Sequence, residues 1–233
     1  MMNAPKSAPV ATTTCWSCNT PTNAAAFCPQ CGKIQSLPAN ADYFTYFGLP
    51  RKLWMGMDGL EQKFLQLSWK LHPDNFVNTD EREREMSLQR SSKLNDAYRV
   101  LRDPVARVEY LLELEGVRKE GQHKQQAPPE LLEEAFELNE SLDELREAKS
   151  AGSNLDALTI KLRVAEKNFG QKLHEVDAEM KTAAQQWDAA LDANASESDR
   201  EAILQRLNEL LNRRSYIRNL VAGVEKELQG ASC

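Results

Sequence analysis

The sequence is short of the residues that most enzymes rely on. Its 233 residues include three histidines, His72, His123 and His174, and only 7% are aromatic. No run approaches the roughly 18–20 apolar residues of a membrane-spanning helix, and the mean hydropathy is −0.58. An integral helical membrane protein is therefore excluded. Positive charge is not in excess: 29 Lys and Arg stand against 35 Asp and Glu, a net charge of −6. Nothing draws the whole chain to nucleic-acid phosphates. There is no glycine-rich loop to cradle a phosphate, no nucleophile–base–acid set and no βαβ pattern. The segment Met1–Thr14 has neither an apolar h-region nor an arginine, so it reads as neither a secretory signal nor a transit peptide. It reads as a disordered tail, 1–14, of a cytoplasmic protein without a membrane or nucleic-acid partner.

Cysteine is scarce but arranged. Four of the five form Cys15-x2-Cys18-x9-Cys28-x2-Cys31, and the fifth is the terminal Cys233. Paired CxxC motifs in a cytosolic chain favour metal over disulfides. Four thiolates suit tetrahedral zinc, with iron in the same four-sulfur geometry as the alternative. Asn19 and Gly32, which follow the two pairs, tolerate the left-handed backbone that a tight thiolate turn needs. A module of this length, 15–38, is too short to fold on its own core, and loss of the metal is expected to unfold it while leaving the downstream helices intact. Cys233 reads as a free thiol.

From residue 42 the pattern is helical throughout, and the fold class is all-α. Asp42 caps a short turn, Tyr43–Phe47. Asp58 and Glu61 form a capping-box pair ahead of a helix with Leu60, Phe64, Leu67 and Leu71 on one stripe, stopped at Pro73. After a polar stretch, Asn75 to Glu83, a second helix runs to about Leu101 with Leu88, Leu94, Tyr98 and Leu101 inward. Asp103-Pro104 restarts a helix that ends at Gly116. The segment 117–129, with Gly121, Pro128 and Pro129, reads as a linker. Three long amphipathic helices follow over 130–229, at about 130–149, 155–193 and 199–228. The apolar steps of the second alternate between three and four, and short connections imply an antiparallel three-helix bundle. The net negative charge lies here, with 16 basic against 22 acidic residues over 116–233, whereas 1–115 balances at 13 against 13.

His72-Pro73-Asp74 falls where the first long helix must end. Proline takes His72 out of the α region and fixes the loop, so an imidazole and a carboxylate sit at the tip of a helical hairpin. The hairpin's second helix ends Lys93-Leu94-Asn95-Asp96-Ala97-Tyr98, and Asp42-Tyr43-Phe44 precedes the pair. Residues 42–116 thus resemble a J-domain, the module with which DnaJ-like co-chaperones engage a DnaK-type chaperone ATPase. That resemblance implies that His72, Pro73 and Asp74 trigger ATP hydrolysis in the partner. Basic residues of the preceding helix usually help dock, and Lys63 and Lys70, on one face, are the candidates here.

Over residues 42–228 the chain resembles the HscB-type co-chaperones of iron–sulfur cluster assembly. The resemblance rests on Asp42-Tyr43-Phe44, Phe47-Gly48-Leu49, Val108-Glu109-Tyr110-Leu111-Leu112, Glu137-Leu138-Asn139-Glu140 and Leu142-Asp143-Glu144-Leu145. The Cys-Trp-Ser-Cys and Cys-Pro-Gln-Cys extension is similar to that of longer members with a metal-binding N-terminal module. The resemblance implies a non-enzymatic protein that delivers an IscU-like scaffold to an HscA-like chaperone and stimulates its ATPase.

One feature of the bundle is legible without any family. In the helix over 130–149, the stripe Leu131, Ala135, Leu138, Leu142 and Leu145 suffices for packing. Leu132 and Phe136 are surplus, about 100° off that stripe. Residues 130–147 hold eight acidic side chains and one basic one, Arg146. An apolar patch rimmed by carboxylates suits a partner with basic edges; a widened core face is the plainer alternative. In HscB-type proteins this face resembles the scaffold-binding site, which implicates Leu132, Phe136, Glu137 and Glu140, with Tyr216 matching an aromatic position of the same site. The competing readings are a J-domain protein serving another client and a zinc-dependent nucleic-acid or transcription adaptor.

Overall fold

The structure, a computed structural model, describes residues 13–22, 25–38, 41–118 and 127–230. Residues 1–12 of the expected tail, residues 119–126 of the expected linker, and Cys233 lie outside them. The chain divides into two compact units. One runs to Leu111 and includes Leu191–Asn194; the other comprises Leu112–Ala190 and the chain from Ala195 on. Among the described residues there is no β-strand, only two isolated bridges beside the cysteines, Thr14 to Pro21 and Phe27 to Ile34. No described helix is long and apolar enough to cross a membrane.

In the first unit α1, Tyr43–Tyr46, starts at Asp42, whose Oδ1 accepts from the Thr45 amide at 2.6 Å. Helix α2, Met57–Leu71, starts at Gly56 without a side-chain cap, so the Asp58–Glu61 box does not form. The helix has already begun at Met57. Asp58 therefore lies inside the first turn, where its charge complements the helix dipole instead of capping amides. Leu60 and Leu71 are buried, and Phe64 stacks on Tyr98 with ring centroids 4.0 Å apart. Helix α3, Glu81–Arg102, is capped by Asp80, whose carboxylate accepts from the Glu83 amide at 2.9 Å.

Leu94 and Leu101 face inward as expected, but Leu88 is 58% exposed. Leu88 and Leu94 are six residues apart, about 240° around a helix, and cannot share one stripe. The inward line runs instead through Met86, Arg90, Leu94, Ala97 and Leu101. Helix α4, Pro104–Leu114, is capped by Asp103, which accepts from the amides of Val105 and Ala106 at 2.8 and 2.9 Å.

The second unit holds α5, Leu132–Ser150, entered by a 3-10 turn at Pro129–Leu131, then α6, Asp156–Asp192, and α7, Glu197–Gln229. Of the expected apolar series, Leu162, Phe169, Val176, Met180, Ala184 and Trp187 on α6 are buried, whereas Leu155, Leu158, Ala165, Leu173 and Leu191 are half-buried; on α7 Leu204, Leu207, Leu211, Ile217, Val224 and Leu228 are buried and Val221 is half-buried. Ion pairs give the directions. Glu134 meets Lys172 at 3.0 Å, Asp177 meets Arg214 at 2.6 Å, and Glu179 meets Arg206. Between α6 and α7 numbers rise on one helix as they fall on the other, so the two are antiparallel. Glu130 with Arg213 at 3.6 Å and Arg146 with Glu227 at 2.9 Å rise together, so α5 and α7 are parallel.

Candidate functional site

Three constellations carry chemistry, each within one unit. In the first, the Sγ atoms of Cys15, Cys18, Cys28 and Cys31 lie within 4.8 Å of one another. Cys15 and Cys31 are 3.6 Å apart, as are Cys18 and Cys28; a tetrahedral ion bound at about 2.3 Å would space its sulfurs roughly 3.8 Å apart. The two turns repeat the same bonds. Asn19 N donates to Cys15 O at 2.9 Å and Gly32 N to Cys28 O at 3.0 Å. Ser17 N reaches Cys15 Sγ and Gln30 N reaches Cys28 Sγ, both at 3.4 Å. Asn19 and Gly32 have φ of 58° and 71°, the left-handed backbone that their residue types allow.

The module also begins earlier than expected. Thr13 and Thr14, placed in the tail by the sequence, belong to it: Thr22 N donates to Thr13 O at 2.8 Å.

Burial pushes the Cys15 thiol up, but amide donors from Cys18 and Ser17 outweigh it and hold the pKa at about 6. Cys31 goes the other way, to about 11: the Lys33 amide lowers it, but burial and the neighbouring sulfurs prevail. Four sulfurs this close cannot all ionise side by side, and a bound cation removes that conflict. The donor set fits a metal ion.

The module is fastened to α3. Gln35, 4% exposed, donates from Nε2 to Cys15 Sγ at 3.3 Å. Its own carbonyl accepts from Arg90 Nε at 2.6 Å, and Arg90 Nη2 also reaches Ser36 O at 3.0 Å and Ala25 O at 3.3 Å. Lys33 pairs with the buried Glu83 at 2.5 Å, and the Arg82 guanidinium lies 4.5 Å from the Trp16 ring centre. Sequence reasoning missed Gln35 and Arg90. The available signal was an arginine midway between Met86 and Leu94 at four-residue spacing, a core position.

The second constellation is the loop after α2. His72 leaves the helix at φ −57°, ψ 131°, and Pro73–Phe76 form a 3-10 turn. His72 Nδ1 accepts from the Asp74 amide at 3.3 Å and lies 3.5 Å from the Asp74 carboxylate. His72 and Asp74 are both exposed. Within the stretch read as polar, Phe76 is buried and anchors the turn. Asn75 Nδ2 donates to Trp69 O at 2.7 Å. Both lysines are exposed, but Lys63 Nζ is directed inward along the chain, onto Phe47 O at 3.2 Å. The outward side of α2 carries an apolar pair that the sequence reading passed over, Leu65 at 59% and Trp69 at 81% exposure.

The third is the outer side of α5. Leu131, Ala135, Leu138, Leu142 and Leu145 are all buried, whereas Leu132 is 52% and Phe136 70% exposed. Glu133, Glu137 and Glu140 around them are exposed too. Glu130 pairs with Arg213 on α7 at 3.6 Å, and Tyr216, three residues further along α7, is half-buried.

No family model matches the sequence. The chain is 34% identical over 151 residues to a co-chaperone protein HscB homolog of Vibrio vulnificus, a match covering 65% of this chain and 85% of that protein. The crystal structure of human co-chaperone protein HscB shares the fold, with a TM-score of 0.62 over 92% of this chain and 98% of that one, at 24% identity. Chaperone HscB from Vibrio cholerae aligns with a TM-score of 0.50 at 26% identity, over 80% of this chain and 96% of that one.

Proposed function

The chain belongs to the HscB family of co-chaperones, and on that premise we propose that it serves iron–sulfur cluster assembly by bringing an IscU-like scaffold protein to an HscA-like, DnaK-type chaperone and stimulating its ATPase. It does no covalent chemistry itself. His72, Pro73 and Asp74 act on the chaperone, with the exposed imidazole and carboxylate at the tip of the loop. Lys70 and the exposed Leu65 and Trp69 extend the docking face along α2, and Lys63, engaged on a backbone carbonyl, has a lesser part. Cys15, Cys18, Cys28 and Cys31 hold zinc as a structural ion, which closes their module without an open coordination position.

The observation that carries scaffold delivery is Phe136, 70% exposed on a helix whose core stripe is already filled. Exposing Leu132 and Phe136, one helical turn apart, has no stability benefit, and an interface accounts for both. Glu137 and Glu140 would meet basic residues at its rim, and Tyr216 would close its edge from α7. Truncating a buried interface anchor costs about 2 kcal/mol or more, which is roughly thirtyfold in affinity. Calorimetric titration of an IscU-like scaffold into Phe136→Ala should show a loss of that order, with the melting temperature unchanged. Glu140→Ala should act more mildly and chiefly at low salt. Unchanged affinity in Phe136→Ala would move the scaffold site off this helix.

A further inference from the structure

The end of α2 departs from helical bonding at one atom. In a continuing helix the Asn75 amide would reach Leu71 O, but it donates to His72 O at 3.0 Å instead. Leu71 is buried, and its carbonyl is one of the acceptors that a helix end leaves without an intrahelical partner. Two hydroxyls from α3 supply it: Ser87 Oγ at 2.7 Å and Ser91 Oγ at 2.8 Å. Serines inside a helix ordinarily bond back to their own preceding turn. Here both reach across to one oxygen and use both of its lone pairs. They are one turn apart on α3, so a single rigid helix presents them together.

The consequence falls on His72. The carbonyl held by the serines belongs to the peptide unit that ends at His72 N. On the other side of His72, Pro73 has a fixed φ. The His72 Cα is thus held between two constrained peptide planes, and the direction in which its ring leaves the backbone is set by both. We propose that Ser87 and Ser91 are positioning residues for the His-Pro-Asp loop, acting through the Leu71 carbonyl. This rests on the chaperone-stimulating reading above. Ser87 is fully buried and Ser91 half-buried, so they act from behind the loop.

The test compares Ser87→Ala, Ser91→Ala, the double variant and Ser91→Thr in the full chain. A displaced loop lowers the maximal ATPase rate at saturating co-chaperone, whereas partial unfolding only raises the concentration needed to reach it. The double variant should lose maximal stimulation on the order of tenfold, below the roughly hundredfold that a 1 Å misplacement of an acting group can cost. Each single alanine variant should lose less, because one hydroxyl remains, and Ser91→Thr should behave as wild type. Amide hydrogen exchange at Asp74 and Asn75, read by NMR below the melting transition, gives a readout independent of any partner. It should accelerate in the double variant while amides within α5 stay unchanged. Unaltered loop exchange in a folded double variant overturns the proposal, as does full maximal stimulation. If the wild-type protein itself fails to stimulate, the functional reading falls, and the exchange measurement still decides whether the serines hold the loop.

Discussion

His72→Gln should reduce single-turnover ATP hydrolysis by a DnaK-type partner to the partner's unstimulated rate, with the fold intact. The side chain is exposed, and its Nδ1 contacts only its own loop: it accepts from the Asp74 amide at 3.3 Å and lies 3.5 Å from the Asp74 carboxylate among the described residues. A surface change of this kind alters stability by no more than about 0.5 kcal/mol. Glutamine can bring an amide donor near the Nε2 position, but it does not reproduce the planar imidazole. Pro73 and the serine-held Leu71 carbonyl keep the backbone in place, so the loss isolates the imidazole. Scaffold binding, which we assign to α5 in the other unit, should be unaffected. Thermal melting alongside the hydrolysis assay checks both halves. Full stimulation by the variant would reduce His72-Pro73-Asp74 to an ordinary turn.

Local chemistry made some of this legible in sequence, and distance hid the rest. The four cysteines, with Asn19 and Gly32 behind them, were readable because each turn closes within a few residues. Leu132 and Phe136 stood out because a periodic stripe already satisfied the core beside them. Arg90 did not, because periodicity reads arginine as solvent-facing. Its burial depends on carbonyls of Ala25, Gln35 and Ser36, more than fifty residues earlier in the chain. Ser87 and Ser91 were silent for the same reason: their acceptor lies on another helix. The capping box at Asp58–Glu61 failed because the match fixes a spacing and not the residue at which the helix begins. Leu88 failed because apolar identity was given more weight than its angle around α3.

Arg90 also changes what metal removal should do. From the sequence, stripping the four cysteines should unfold their module alone; in the structure the module and α3 share an interface, so the J-domain should lose stability with it. Purified protein should carry about one metal ion per chain. The path runs from Cys15 Sγ to Gln35 Nε2 and from Gln35 O to Arg90, which is 3% exposed. Once the module unfolds, Arg90 regains water but loses three ordered acceptors, and Glu83 loses Lys33. Hydrogen bonds to a charged group contribute about 1.5–3 kcal/mol each. Water recovers part of this, and a net loss of about 2 kcal/mol is a conservative figure; in a domain of this size that is on the order of 10 °C in melting temperature.

The effect must be reciprocal, since two linked sites share one coupling free energy. Arg90→Ala leaves three carbonyls without their donor in an intact module, so it should weaken metal retention against a chelator. Melting curves of loaded, chelated and Arg90→Ala protein test the linkage, with amide exchange in α3 to locate the loss. If chelation leaves both the J-domain transition and α3 protection unchanged, the module is an independent appendage and the contacts at Arg90 contribute nothing to stability.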